Sequence, residues 1–261
     1  VDVTNGTYLS TPELGRALAA ATEDGAAPFD VLFLDQCFGG NLDILYELRS
    51  TFDVAIASPN YAWAAFAYDD YLVTMTPQAG NTELAQNIVD AYQAKLDSQH
   101  PHALFWVRGA DLAPLADALS TLGDALRAEG MGDAAAKTLA AVQRSQFVDT
   151  TLCDRDFELC PPDEMVDLRS FAVALQEVFT SGSVVHAAAG QLLTALDAVH
   201  STGISGQPWI NVQATWPLEN AGLTVLAPLT PTLSPETVWR ASLYTETTPL
   251  TAVWSAQPTS T

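Results

Sequence analysis

Short apolar runs alternate with longer segments of helical periodicity through most of this chain. A continuous apolar run of about four to eight residues is typical of a strand buried on both faces, whereas apolar residues three and four apart are typical of a helix. The runs predict strands at 31–34, 53–57, 103–107 and 222–227. The periodic segments, the first opening on the capping box Ser10-Thr11-Pro12-Glu13, predict helices at 10–22, 41–50, 81–98, 111–129, 133–145, 163–179, 183–200 and 234–244.

The order of these elements predicts an α/β fold. The first two strands flank a helix, which makes a βαβ unit with parallel, neighbouring strands. Their carboxyl ends then lie at one edge of the sheet, where ligand sites of α/β proteins gather. The helical stretch 110–200 is expected to be an insertion or subdomain. The chain then divides into a core part at 1–109, this helical part, and a strand and helix at 201–261 that complete the core.

The first strand delivers a cysteine to that edge, in the run Asp35-Gln36-Cys37-Phe38-Gly39-Gly40. The glycines permit a tight turn into the following helix. A thiol beside backbone N–H groups and the positive end of a helix dipole is stabilised as the nucleophilic thiolate. The alternative is that Cys37 is a small buried hydrophobic residue, as many free cysteines are.

The residues around Cys37 resemble the nucleophile region of the clostripain family of cysteine peptidases. Asp43 stands where that family usually has Glu, and the positions that match one by one are Asp35, Cys37, Gly40, Tyr46, Glu47, Leu48 and Ser58. The resemblance implies a caspase-like α/β/α sandwich with a mostly parallel sheet. It also implies a cysteine endopeptidase that works through a Cys–His dyad.

The resemblance implies further that Asp35 lines the S1 pocket and pairs with an arginine or lysine of the substrate. The alternative is that Asp35 only caps the turn after the strand. The family's pocket loop carries an acidic residue near the position of Ala67, so an apolar P1 preference remains open.

The segment after the second strand is rich in aromatic residues. It can form a wall of a pocket beside Cys37, or it can be a hydrophobic lid on the core. The candidates for substrate binding in and beside it are Ser58, Trp63, Phe66 and Tyr68, with Tyr61 as a further aromatic neighbour.

A catalytic cysteine needs a base, and the four histidines are His100, His102, His186 and His200. In the clostripain family the base stands in a His-Gly turn several dozen residues before the cysteine. Here 36 residues precede Cys37 and none is histidine. Three explanations are open: a two-chain enzyme whose light chain carries the histidine, an inactive relative used as a binding or scaffold protein, or a base supplied by His100 or His102.

The strand at 31–34 favours the first explanation. It is apolar on both faces, as central strands are, and a central strand needs partners on both sides. We therefore expect the first strands of the sheet to lie on a missing N-terminal light chain, produced by internal processing of one precursor.

Composition narrows the partners. The net charge is −21, with 31 acidic residues against 10 basic ones, which speaks against nucleic acid and favours basic peptides or calcium. A solubilising acidic surface needs no partner. No apolar run is long enough to span a membrane.

Cys153 and Cys160 close an acidic stretch and leave Cys37 as the odd cysteine. One bridge and one free thiol fit a secreted or extracytoplasmic enzyme, whereas two free loop thiols are the alternative. The stretch 149–167 holds seven carboxylates, which suit either Ca²⁺ binding or a solvated loop; the sequence requires no cofactor.

Overall fold

The computed structural model describes residues 10–60, 62, 67–76, 78–96, 102–129, 131–146, 148, 165–204 and 222–226. The strands in this part are β1 Phe29–Leu34, β2 Phe52–Ala57, β3 His102–Arg108, β4 Met165–Asp167, β5 His200–Ile204 and β6 Thr224–Leu226. The helices there are α1 Thr11–Ala21, α2 Leu42–Leu48, α3 Tyr68–Thr74, α4 Asn81–Lys95, α5 Gly109–Ala128, α6 Met131–Arg144, α7 Leu168–Val178 and α8 Val184–Ala195.

The main sheet has the strand order β1-β2-β3-β5, and β4 pairs with β6 in a separate two-stranded sheet. The α/β class is confirmed. The predicted βαβ unit is present, because β1 and β2 are parallel neighbours joined through α2. Within the described residues, however, β2–β3 and β3–β5 are antiparallel, so this part of the sheet is mixed and not mostly parallel.

The path of α4 explains the change of direction. Its first residue, Asn81, donates from its side-chain amide to Asp53 at 2.7 Å and to Asp30 at 3.4 Å, at the starts of β2 and β1. The helix therefore begins at the edge where β1 and β2 begin. Because it ends near the opposite edge, β3 starts there and must run back against β2.

Helices cover both faces of the sheet. Alternate residues of a strand face opposite sides, and β2 and β3 follow this rule with buried side chains on both. One face packs on α4, through Val54, Ile56, Leu104, Trp106, Ile88 and Tyr92. The other packs on α2, α5, α7 and α8, through Ala55, Phe105, Val107, Leu45, Leu112, Leu115, Phe171, Leu175 and Leu192. The layering is that of an α/β/α sandwich.

β1 stands at one end of the sheet in the part of the chain that the structure describes. The side chains at 31–34 are only half-buried, whereas those at 54–57 in β2 are fully buried. The strand predicted to be central thus has one described partner, β2. The further strands that its sequence predicts are not among the described residues.

The predicted helices at 163–179 and 183–200 were too long. β4 takes the start of the first, and β5 begins at His200, after α8 ends at Ala195. Both strands are short, and their pairing with distant β6 and β3 decides their conformation. α3 was not predicted, and the helix expected at 234–244 lies outside the described residues.

The four predicted helical segments within 110–200 correspond to α5–α8, which share one core with the sheet. The domain boundaries stay a prediction.

Asp43 occupies an unusual position in the first turn of α2. Asn41 caps this helix by accepting the Asp43 N–H at 2.8 Å. The Asp43 side-chain oxygen Oδ1 is buried and has no hydrogen-bond partner among the described residues. Burial therefore raises the pKa of this carboxyl from its ordinary value of 3.8 to about 7.

This pKa predicts how Asp43 affects stability with pH. Between pH 3.8 and about 7 the folded chain binds more protons than the unfolded one, so the Asp43 contribution destabilises progressively as pH rises through this window. Asp43→Asn should therefore raise the melting temperature at about pH 8, on the order of 5 °C, and change it little near about pH 4. Thermal unfolding of the native protein at both pH values measures this difference. Asp117→Asn, at an exposed site on α5, is the control and should show no such difference; an equal shift for Asp43→Asn at both pH values would contradict the assignment.

Candidate active site

Cys37 lies in an exposed turn at the carboxyl end of β1. The Ala62 N–H donates to its Sγ at 3.4 Å, and Sγ lies 3.8 Å from the Ala62 carbonyl oxygen. The exposure argues against the alternative of a small buried hydrophobic residue.

The turn that carries Cys37 is hydrogen-bonded to the segment after β2. Phe38 adopts a left-handed φ of 57° and donates its N–H to the Asn60 carbonyl at 2.9 Å. Gly40 donates its N–H to the Ser58 carbonyl at 2.8 Å. A Cβ at Gly40 would stand 2.6 Å from Cε1 of Phe105, so only glycine fits this approach. These contacts place the thiol at the sheet edge that the sequence predicts.

Ser58 is buried below this edge of the sheet, where it holds the segment after β2 by hydrogen bonds. Its side chain is fully buried, donates to the Asn60 carbonyl at 3.0 Å and accepts the Asn60 N–H at 3.2 Å. The Asn60 amide in turn donates to the carbonyl of Val148. This placement favours a role for Ser58 in forming the turn over direct contact with substrate.

Asp35 and Tyr68 lie on the exposed side of the same edge. β1 ends at Leu34, so Asp35 belongs to the turn, and strand alternation does not determine where it points. The pKa of Tyr71 is raised, mainly by burial and further by the negative charges of Asp35 and Asp70, which places Asp35 beside α3. Tyr68 is 47% exposed, and its ring meets Tyr71 edge-on at 5.5 Å.

Aromatic contacts continue from α3 to β1, since Tyr71 also meets Phe33 edge-on at 6.0 Å. Asp35 and Cys37 share the turn after β1, and these ring contacts connect Tyr68 of α3 to the end of β1. Among the described residues, Asp35 is exposed to solvent. Tyr61, Trp63 and Phe66 lie outside the described residues, so their predicted role in substrate binding stays a prediction.

The three described histidines lie in β3, β5 and α8. His102 is fully buried, with its ring edge-on to Tyr92 at 5.6 Å. His200, in β5, stacks on Trp106 with the two ring centroids 3.9 Å apart. At ordinary strand spacing, β5 lies roughly 14 Å across the sheet from β1. His186 lies on α8, which packs against α5 and α7. His100 lies outside the described residues.

Other predicted features fall partly or wholly outside the described residues. Cys153, Cys160 and most of the acidic stretch 149–167 are among them, so the disulfide and calcium alternatives stay predictions. Within the described ranges, no three His, Cys, Asp or Glu side chains are arranged to hold a metal ion. In the same ranges, no helix has the length and apolar character needed to cross a bilayer.

Sequence reasoning missed a tertiary contact to the turn that carries Cys37. The carbonyl of Gly40 accepts the N–H of Thr224 in β6 at 3.0 Å. The local sequence gives no indication of this bond, because Gly40 and Thr224 are 184 positions apart in the chain. The capping pattern at Asn41 could have indicated where α2 begins.

Comparison with known proteins identifies the fold and the family. Residues 1–199 match the model of the clostripain family. No curated protein sequence matches the chain. Among solved structures, a B. fragilis cysteine protease is 15% identical, with 96% of each chain covered and a TM-score of 0.63.

Two proteases of Bacteroides thetaiotaomicron are also similar. A clostripain in complex with the peptide inhibitor BTN-VLTK-AOMK is 14% identical, with 98% of this chain and 97% of that chain covered and a TM-score of 0.60. A secreted C11 cysteine protease in complex with an irreversible peptide inhibitor is 17% identical, with 98% of this chain and 66% of that chain covered and a TM-score of 0.59.

At these identities the structures establish the fold alone, and they confirm the caspase-like α/β expectation. Together with the family match over well over half of its length, they lead to one conclusion: the chain belongs to the clostripain family of C11 cysteine proteases.

Proposed function

We propose that this chain is the nucleophile-bearing part of a cysteine endopeptidase, with Cys37 as the nucleophile. The observation that carries the proposal is the exposed thiol, presented on a turn that two backbone hydrogen bonds fix to the end of β2, with the Ala62 N–H directed at sulfur. A peptide substrate can reach this sulfur from solvent.

The chemistry follows from the nucleophile. The Cys37 thiolate adds to the scissile carbonyl carbon, and the negative charge moves to the carbonyl oxygen, which the Cys37 backbone N–H and a second donor stabilise. A histidine that took the thiol proton gives it to the leaving amine as the C–N bond breaks. Water then hydrolyses the thioester and returns the free thiol.

The histidine is proposed to come from a light chain of the same precursor. Within the described residues, the hydrogen bonds of the Cys37 sulfur are to Ala62, and the outer edge of β1 has no described partner strand. A light chain that adds a strand beside β1 would bury the half-exposed side chains at 31–34 and bring its base next to the turn. An inactive binding protein is the outcome if no such chain exists.

The proposed substrate carries arginine or lysine before the scissile bond. Asp35 supplies a carboxylate two residues before Cys37, and a guanidinium or ammonium can pair with it. The BTN-VLTK-AOMK inhibitor of one structural neighbour ends in lysine before its AOMK group, which supports a basic P1 residue. An apolar P1 preference set by the aromatic segment after β2 is the alternative.

We further propose a secreted or extracytoplasmic location, which two secreted C11 neighbours support. The excess of acidic residues suits basic protein substrates. The proposal also includes a Cys153–Cys160 bridge and Ca²⁺ binding by the acidic stretch 149–167. The proposed reaction itself requires no cofactor.

Cys37→Ala should abolish peptide cleavage, with a loss of at least about 10³-fold in kcat/KM, because no other group replaces the thiolate. An irreversible peptidyl ketone should label Cys37 of the native enzyme, located by peptide mass mapping. Cys153 and Cys160 of the same native enzyme are the internal controls and should stay unlabelled, because the proposed bridge leaves them no free thiol. Undiminished cleavage by Cys37→Ala would refute the assignment.

The light chain should appear as a second polypeptide in the native preparation. Intact-mass measurement should find it, and its sequence should contain histidine. In the native complex, amides of β1 should exchange with deuterium as slowly as those of β2, whereas in the chain 1–261 expressed alone those on the outer edge of β1 should exchange much faster. A cooperatively folded, active monomer of 1–261 with a protected β1 would overturn the two-chain proposal.

Asp35→Asn should lower kcat/KM for a peptide with P1 arginine by about 10- to 100-fold, which is roughly 1–3 kcal/mol for a partly exposed charge pair. Cleavage after leucine should change little, since the side-chain shape is kept. Asp30→Asn, exposed at the far end of the same strand, is the matched control. Equal losses on both substrates would show that Asp35 does not select the basic residue.

A further inference from the structure

The nucleophile turn is held from a second side by the small sheet of β4 and β6. Thr224 is fully buried in β6, and its N–H donates to the Gly40 carbonyl at 3.0 Å. Its Oγ1 lies 3.3 Å from the same carbonyl and 3.8 Å from Sδ of Met165. The segment also forms an isolated parallel bridge between Thr224 and Asn41, the cap of α2.

Gly40 is consequently bonded through both ends of its backbone. Its N–H is held by the Ser58 carbonyl at the end of β2, and its C=O is held by Thr224. Two residues lie between Cys37 and Gly40, and the N–H of one of them, Phe38, donates to the Asn60 carbonyl. Rotation of the Gly40 peptide group would therefore displace the turn that carries the sulfur.

Hydrogen bonds hold β6 in place, so the strand that contacts Gly40 is itself fixed. Oδ2 of buried Asp167 accepts the Gly222 N–H at 3.0 Å, and Oδ1 accepts the Ser170 N–H at 2.7 Å. Leu168 donates its N–H to the Leu223 carbonyl at 2.9 Å. The strand that holds Gly40 is thus tied to the start of α7 on the far side of the core.

We propose that Thr224 is a positioning residue for Cys37, acting through the Gly40 carbonyl. The backbone N–H keeps the turn in place, and the side-chain hydroxyl sets the orientation of the Gly40 carbonyl and so the position of the sulfur. This inference rests on the proposed peptidase function, in which a small displacement of the nucleophile lowers the rate of attack.

The test compares three variants of the native enzyme. Thr224→Val keeps the branched shape and the backbone N–H but removes the hydroxyl, whereas Thr224→Ser keeps the hydroxyl. Thr202→Val in β5 is the matched control, because its buried hydroxyl has no hydrogen-bond partner and β5 does not touch the turn in the strand pairing.

Thr224→Val should lower kcat by about 10-fold or more with KM changed less than about twofold, and Thr224→Ser should restore most of the loss. Thr202→Val should behave as wild type. An effect on stability alone would lower the melting temperature of Thr224→Val and leave kcat unchanged, which would overturn the proposal. Equal losses for the Ser and Val variants would overturn it as well.

A second measurement separates this inference from the peptidase proposal. The rate at which iodoacetamide alkylates Cys37 is followed by peptide mass mapping over a range of pH. This measurement needs neither a substrate nor peptidase activity. Thr224→Val should shift this pH profile, and Thr202→Val should not. A shifted profile in a protein without peptidase activity would support the positioning role and contradict the peptidase function. An unchanged profile together with unchanged kcat would contradict the role of Thr224.

Discussion

The candidate active site depends on the close approach of the turn after β1 to the end of β2. Two backbone hydrogen bonds, from Phe38 to Asn60 and from Gly40 to Ser58, fix this approach. It is geometrically possible because Gly40 lacks a side chain, which would otherwise collide with the ring of Phe105 and the backbone at Ser58 and Pro59. The parallel pairing of β1 and β2 brings both strand ends to one edge, so the contact that holds the turn also places Ala62 against the Cys37 sulfur.

The second constraint is the asymmetry of the sheet. β2 and β3 are buried on both faces, whereas β1 is half-buried and has one partner strand among the described residues. An apolar strand with an open edge costs solubility and stability, because its backbone groups and apolar side chains stay in water. The same edge adjoins Cys37, whose sulfur contacts no histidine in the described part of the chain. One added chain that pairs with β1 would cover this strand edge and could supply the histidine. The shared location of the edge and the sulfur is the main physical support for the two-chain proposal.

The charged groups of the site differ in their surroundings, and this separates their roles. Asp35 is exposed beside α3, so its charge is available to a ligand. Asp43 and Asp167 are buried, and burial raises the pKa of each carboxyl. Asp167 compensates for its burial with hydrogen bonds from Gly222 and Ser170 that anchor β6 and α7, whereas Oδ1 of Asp43 has no partner among the described residues. The environment thus separates three carboxylates of one residue type: Asp167 anchors β6 and α7, Asp43 is expected to make stability depend on pH, and Asp35 is the one proposed to recognise substrate.

The sequence alone determined the parts whose physics is local. The apolar run at 31–34 and the glycines after Cys37 indicated a buried strand ending in a tight turn, and the residues from Asp35 to Ser58 carried the resemblance to the family. Tertiary structure decided what depends on residues far apart in the chain: the antiparallel direction of β3, the short strands β4 and β5, the burial of Ser58 and His102, and the bond from Thr224 to Gly40. Those features arise from pairing across long sequence separations, where the energy of a contact depends on the partner that the fold supplies, and local propensity carries no information about that partner.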